Sequence, residues 1–279
     1  GKLLLVTNAE GLAAQNVIQR YKSLADIERQ FHHLVRTVPG NGRLIVNGED
    51  DALARVLGKG CWTPVERFAI DRDAEWRAQL LAPDGSAFRV LHRGIAIGDA
   101  QWDTLGRHNV MNALAAVAAA AAYGIEPTRA VAALSGFRNP KRRMELVADR
   151  NGIRIYDDFA HHPTAIATTL AGLRAKVGEN RIVVAIEPRS NSMRMGAHAD
   201  GLAPSLADAD VVVFLARPEL PWHADQVIAA VRGTAIAVTT VDALLDELQM
   251  RARPGDSVVF MSNGGFDNAP RRYAQRIGA

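Results

Sequence analysis

Beyond residue 150 the chain repeats one pattern: a short apolar run, a turn, a helical stretch, then the next apolar run. The runs fall at residues 153–158, 181–187, 211–215, 235–238 and 257–261. Helices are expected near 163–177, 203–207, 224–231, 241–251 and 269–277. Short apolar strands alternating with helices predict a parallel, doubly wound α/β sheet, with the strands at 211–215, 235–238 and 257–261 buried. In such sheets ligands lie beyond the carboxyl ends of the strands. The loops that leave those ends carry Asp157 and Asp158, Arg189 and Asn191, and Ser262, Asn263 and Gly264. They are expected to line one crevice.

The first of these strand ends is the densest in chemistry. Ile153-Arg154-Ile155-Tyr156 alternates apolar and polar, as a half-buried strand does. Asp157-Asp158 follow, then Phe159-Ala160-His161-His162, and Pro163 opens a helix whose apolar face is Ile166, Leu170, Leu173 and Val177. Paired acids and imidazoles just before a helix N-terminus suit an anionic ligand. A solvated loop rich in capping residues is the alternative. Adjacent histidines lack metal-ligand spacing, so no metal is assigned to them.

The first half reads differently. A strand at 3–6 opens the chain, which suggests a sheet that begins upstream. A helix over 24–35 follows, with Leu24, Ile27, Phe31 and Leu34 on one face. His32 and His33 lie on it about 100° apart and are surface or helix contacts. A turn at 39–42, a strand at 44–46 and a helix at 49–57 come next. Strands at 67–70, 76–81 and 88–97, with a hairpin turn at 83–86, predict a small antiparallel piece. Gly106-Arg107-His108-Asn109 opens a helix over 110–123, with Asn112 one turn after Asn109. Carboxamides and an imidazole at that point can hydrogen-bond a planar heterocycle; an N-cap asparagine is the bland reading. A second helix spans 127–134, and the pattern change at Pro140 places a domain boundary near residue 138. The basic run Lys141-Arg142-Arg143 is either a solvated linker or a phosphate clamp.

Composition excludes several classes. No apolar run approaches 18 residues, so no membrane-spanning helix is expected, and no signal-peptide pattern opens the chain. A single cysteine, Cys61, permits no internal disulfide and suits a reducing cytoplasm. The net charge of +3 and pI near 9.2 fit anionic ligands. A nucleic-acid-binding reading rests only on Lys141–Arg143 and Arg271-Arg272, with no interleaved aromatic residues.

Taken together, Gly106-Arg107-His108-Asn109-x-x-Asn112, Lys141-Arg142-Arg143-Met144-Glu145 and Tyr156-Asp157-Asp158-Phe159-Ala160-His161-His162-Pro163 resemble the Mur ligases, ATP-dependent amide-forming enzymes of bacterial cell-wall synthesis. The runs at 30–40, 187–193 and 261–266 narrow the resemblance to the peptidoglycan-recycling branch. The resemblance implies the end of a central ATPase domain over 1–137 and a Rossmann-like C-terminal domain over 138–279. It implies ATP and Mg²⁺ as cofactors, UDP-N-acetylmuramate and a murein tripeptide as substrates, and neither nucleic acid nor membrane as partner. The missing N-terminal part of the ligase is a further expected partner. By the same resemblance His108, Asn109 and Asn112 serve the adenine, Arg142 and Arg143 the phosphates, and Asp158 the ribose. Arg143 and His161 are the catalytic candidates. His161, His162, Arg189, Ser190, Asn191, Ser262, Asn263 and Gly264 face the peptide. The chain departs from the family in having no G-x-x-x-x-G-K-[ST] phosphate loop and no acidic magnesium segment, and residues 11–23 match nothing in its pattern. These departures imply a fragment inactive alone; a non-catalytic binding module for nucleotide or cell-wall peptide is the alternative.

Overall fold

The computed structural model describes residues 24–189, 199–218 and 224–278. The expected strand at 3–6, the 11–23 stretch, Ser190 and Asn191 lie outside the described residues. The chain divides into two compact units. Residues 24–81, Ala87–Trp102 and Val110–Gly136 form the first; Ala82–Ser86, Asp103–Asn109 and 137–278 form the second.

The first unit holds helix α1 (Leu24–Thr37), strand β1 (Leu44–Asn47), helix α2 (Asp51–Gly58), and strands β2 (Val65–Ala69), β3 (Trp76–Leu80), β4 (Ala87–His92) and β5 (Ile95–Gln101). Helix α3 (Arg107–Ala122) begins in the second unit's segment and continues in the first, where helix α4 (Pro127–Ala133) follows. Ala113, Leu114, Val117 and Ala118 of α3 share one core with Trp76, Phe88 and Val90. On α1, Phe31 is nearly half exposed, while His32 Nε2 lies 3.2 Å from the Gly60 carbonyl.

Two expectations for this unit need correction. The sheet runs β1-β2-β3-β4-β5, antiparallel over β3–β5 but parallel over β1–β3. After β2 the chain is turned back by side chains that periodicity does not reveal. Glu49 Oε1 accepts from the amides of Ile70 and Asp71 at 2.7 and 2.6 Å, and Glu75 Oε2 accepts from Arg67 at 2.8 Å. The strand expected over 88–97 is two strands. Arg93 and Gly94 both take positive φ, 50° and 80°, which makes the two-residue turn of a tight hairpin.

The second unit contains β6 (Glu145–Arg150), β7 (Ile153–Asp158), α5 (Pro163–Val177), β8 (Ile182–Ile186), α6 (Ala199–Ser205), β9 (Val211–Leu215), α7 (Ala224–Ala230), β10 (Thr234–Val238), α8 (Val241–Arg251), β11 (Ser257–Met261) and α9 (Ala269–Arg276). Its sheet runs β10-β9-β8-β11-β7-β6, parallel throughout except for β6 against β7. Ile166, Leu170 and Leu173 of α5 join Leu202 of α6 and Val227 of α7 in a core on one face. Leu244, Leu245 and Leu248 of α8 join Tyr273 of α9 in a core on the other.

That two-sided cover corrects the reading of β7 as half-buried: every residue of it but Arg154 is buried. β10, expected to be buried, is instead the sheet's edge, paired on one side only, with Thr234 and Ala237 exposed. Strand β6 was not expected. Its signal was Asn151-Gly152, whose φ values of 53° and 76° again make a two-residue hairpin. Leu170 is fully buried under the sheet. Leu170→Ala should lower the unfolding free energy by about 2–5 kcal/mol, measured as a shifted urea midpoint with an unchanged slope.

Candidate functional site

Strand order brings the chemistry together. β11 lies between β8 and β7, so three consecutive strands end side by side. The Ser262 amide donates to the Asp158 carbonyl at 3.2 Å, and the Glu187 amide to the Met261 carbonyl at 3.0 Å. Ser262 Oγ donates to Glu187 Oε2 at 2.7 Å and accepts from the Gly264 amide at 3.0 Å. Glu187 is 2% exposed, and its charge is matched by Arg217, whose Nε donates to Oε1 at 2.9 Å. Arg217 also reaches Asp267 at 2.9 Å and holds that carboxyl below its usual range. The sequence reading assigned no role to Glu187, Arg217 or Asp267; the Glu187-Pro188-Arg189 run at a strand end was the available signal.

Beside this edge the linker makes a strained turn. Arg142 and Met144 are both left-handed, φ 61° and 50°, a conformation that costs about 1–3 kcal/mol per residue unless surrounding bonds enforce it. Those bonds are present. Glu145 Oε2 accepts from the Arg142 amide at 2.9 Å, Asp158 Oδ2 from the Met144 amide at 2.7 Å, and the Arg142 carbonyl from the Phe159 amide at 2.8 Å. The Arg142 guanidinium donates to the Ser262 carbonyl and lies 3.4 Å from Asp157. Arg143, between the two, is exposed. Its guanidinium stacks over Phe159 at 5.4 Å and has no hydrogen-bond or ion-pair partner among the described residues. Burial raises the carboxyls of Asp157 and Asp158 above their usual range. The nearby Arg142 for the first, and two backbone amides and Arg143 for the second, only partly offset it.

The segment before α3 belongs to this same unit. Gly106 has φ 91°, and its amide donates to the Asp84 carbonyl at 2.7 Å. A Cβ there would lie 2.7 Å from the His108 ring, and one on Gly172 of α5 would lie 2.8 Å from the Gly106 Cα. Only glycines allow this approach. His108 is half-buried, and its Nδ1 is fully buried with no partner among the described residues. Burial, then the Arg143 charge, holds the imidazole below its usual range, so it is neutral near pH 7. The helix starts at Arg107, so Asn109 is in its first turn rather than at the N-cap, and its Nδ2 donates to the Leu105 carbonyl at 2.7 Å. Asn112 lies one turn further along α3, in the segment counted with the first unit.

The two histidines are fixed in opposite tautomers. His161 Nδ1 lies 2.9 Å from the Phe159 carbonyl and must donate, leaving Nε2 as the acceptor. His162 is the N-cap of α5, and its Nδ1 accepts from the Thr164 amide at 3.3 Å, so its proton is on Nε2. Across the edge, the Arg189 side chain lies over Gly264, where a Cβ would come within 2.6 Å of Nε. Asn263 Oδ1 is buried without a partner among the described residues. No group of three His, Cys, Asp or Glu side chains that could hold a metal ion occurs among the described residues.

Comparison with known proteins gives these features a context. The Mur ligase middle domain matches residues 14–120, and the Mur ligase glutamate ligase domain matches 142–264. The UDP-N-acetylmuramate–L-alanyl-gamma-D-glutamyl-meso-2,6-diaminoheptandioate ligase of Escherichia coli (strain K12) is 45% identical over 247 residues, 88% of this chain and 54% of that protein. The protein of that name from Haemophilus influenzae is 38% identical over 258 residues, 92% of this chain and 56% of its own length. The crystal structure of a murein peptide ligase from Psychrobacter arcticus 273-4 aligns with a TM-score of 0.68 at 41% identity, over 91% of this chain and 55% of that one. The chain spans about half the length of the curated relatives it matches.

The depressed His108 value fixes a sign. Below its ordinary value of 6.5, the folded chain binds fewer protons at this residue than the unfolded chain. The corresponding stability is therefore complete above about pH 6.5 and is lost as pH falls from there through the imidazole's lowered folded-state value. The raised Asp157 and Asp158 act oppositely, their ionisation opposing folding as pH rises through the carboxylate range. Urea unfolding at a series of pH values should show His108→Gln flattening the decline below about pH 6.5. An unchanged slope would place its origin elsewhere.

Proposed function

This chain belongs to the Mur ligase family, with that family's middle and C-terminal domains in sequence, and on that premise we propose that it is the corresponding part of a murein-peptide ligase. The whole protein would use ATP to join UDP-N-acetylmuramate to L-Ala-γ-D-Glu-meso-diaminopimelate in cytoplasmic peptidoglycan recycling. Residues 1–137 would be the end of the central domain and 138–279 the C-terminal domain. In the reaction, a carboxylate oxygen of UDP-N-acetylmuramate takes the terminal phosphoryl group of ATP and ADP leaves. The tripeptide amine then attacks the acyl carbon, losing a proton as phosphate departs.

The observation that carries this reading is Arg143. Its guanidinium stacks on Phe159 without a hydrogen-bond or ion-pair partner among the described residues, in the same unit as an imidazole whose buried Nδ1 has no partner among them. Arg142 beside it and Arg217 at the same strand-end rim are ion-paired. A free planar guanidinium suits a phosphate, and a neutral imidazole beside carboxamides suits a heterocycle. These donors fit ATP: His108, Asn109 and Asn112 would hold the adenine, Arg143 with Arg142 the phosphates, and Asp158 would lie toward the ribose. Bound ATP supplies the phosphoryl group that activates the carboxylate. His161 Nε2 is the acceptor available for the amine proton. Arg189, His162, Ser190, Asn191 and Ser262–Gly264 would face the carboxylate-rich peptide. The described residues offer no cluster that fits Mg²⁺, so no role for the ion is assigned to them.

The sequence has no phosphate-loop pattern, which favours nucleotide binding without turnover by these 279 residues, since phosphoryl transfer depends on the cradle that positions the phosphates. Calorimetry should show ATP binding weakened about tenfold or more by Arg143→Ala, with adenosine binding nearly unchanged. Equal loss for both ligands would remove Arg143 from the phosphate site. Murein tripeptide titrated into the same chain should lose affinity on Arg189→Ala. Phosphate release from ATP with both substrates and magnesium present should stay at background; sustained turnover would show that the phosphate-positioning elements are present in another form.

A further inference from the structure

Asp158 does more here than border a ribose. Its side chain belongs to a residue only 3% exposed, and each oxygen already accepts a backbone amide. Oδ1 takes the amide of Ala160 at 2.7 Å, fixing the exit of β7, and Oδ2 takes the amide of Met144 at 2.7 Å. Met144 is the residue directly after Arg143, and it is left-handed, as is Arg142 directly before. Non-glycine residues leave that conformation unless something holds them. Arg142 is held from three sides: Glu145 takes its amide, Phe159 donates to its carbonyl, and its guanidinium reaches Ser262 and Asp157. For the Met144 amide the hydrogen bond to Asp158 is the restraint. The Arg143 carbonyl accepts from Asn139 Nδ2 at 3.2 Å, while its guanidinium has no hydrogen-bond or ion-pair partner among the described residues.

We propose that Asp158 is a positioning residue for Arg143. Its carboxylate clamps the left-handed turn at Arg142–Met144 so that the intervening guanidinium is presented to a nucleotide's phosphates. This rests on the nucleotide-site reading above and adds a role distinct from ribose contact. The carboxylate is required because it offers two acceptor oxygens to two amides on different segments. An asparagine would turn an N–H against one of them.

The test uses the 279-residue chain with ATP and adenosine as probes, together with amide hydrogen exchange. Asp158→Asn should weaken ATP binding about tenfold or more and adenosine clearly less, and should speed exchange at the Met144 amide. In the Arg143→Ala background, Asp158→Asn should weaken ATP no more than it weakens adenosine. Adding Met144→Gly to Asp158→Asn should recover part of the ATP affinity, because glycine takes positive φ without a clamp. It would not recover a lost ribose contact. Equal weakening of ATP and adenosine, or no recovery with glycine, overturns the proposal. Unchanged exchange at Met144 overturns it whether or not nucleotide binds. If the unaltered chain binds neither probe, the nucleotide reading fails and the exchange result still decides the clamp. If Asp158→Asn does not fold alone, rescue of folding by Met144→Gly supports the clamp and failure to rescue overturns it.

Discussion

Both faces of the six-stranded sheet are covered by helices, and this constraint governs the second unit. The strands β7, β8, β9 and β11 are almost wholly buried, so polar side chains can be satisfied only where the strands stop. Asp157, Asp158, Glu187 and Ser262 occupy such ends. Each is buried, and each has partners from a neighbouring loop or strand end: Arg142 for Asp157, Met144 and Ala160 for Asp158, Arg217 and Ser262 for Glu187. A buried carboxylate without them would be strongly destabilising. The bonds that satisfy these groups also stitch the loops into a single rim.

Against that background the unsatisfied groups stand out. Arg143 has a ring beneath it but no acceptor among the described residues, and the buried Nδ1 of His108 and Oδ1 of Asn263 have no hydrogen-bond partner among them. Stability alone would favour pairing them. These groups lie in one unit and keep donor and acceptor capacity that the described residues leave unused.

Much of the fold was legible from spacing, because short apolar strands alternating with helices admit few arrangements. β7, β9, α8 and β11 fall where the periodicity places them. What spacing missed was set by positive φ or by side-chain acceptors. Arg93-Gly94 and Asn151-Gly152 make hairpins because two consecutive residues are left-handed, and the second pair was a visible turn signal. Glu49 and Glu75 bend the β2–β3 connection through backbone amides, which no hydrophobic pattern encodes. In the site, the sequence identified residue types and their loops. Charge and spacing alone could not tell Arg142 from Arg143, which only the family resemblance singled out: one is spent on Ser262 and Asp157, and the other has no acceptor among the described residues. Nor could it show that His161 and His162 carry their protons on different nitrogens, a difference created by one carbonyl and one helix amide.

The rim builds the same arrangement twice. Arg142–Met144 is one left-handed turn; Phe266–Asn268, with φ values of 48°, 47° and 56°, is another. Both leave strained backbone beside a candidate ligand loop, and in both an ionised side chain ties the turn to a strand end. Asp158, at the end of β7, accepts the Met144 amide. Asp267 reaches Arg217, beyond β9, which in turn pairs with Glu187 at the end of β8. Burial of Phe266 against Phe260 adds an apolar anchor to the second turn. Strain of this kind persists only where neighbouring bonds over-determine the backbone. A carboxylate–amide hydrogen bond in one case and ion pairs in the other therefore hold two loops in conformations that their own residues would not choose, and each loop's shape depends on the sheet beneath it.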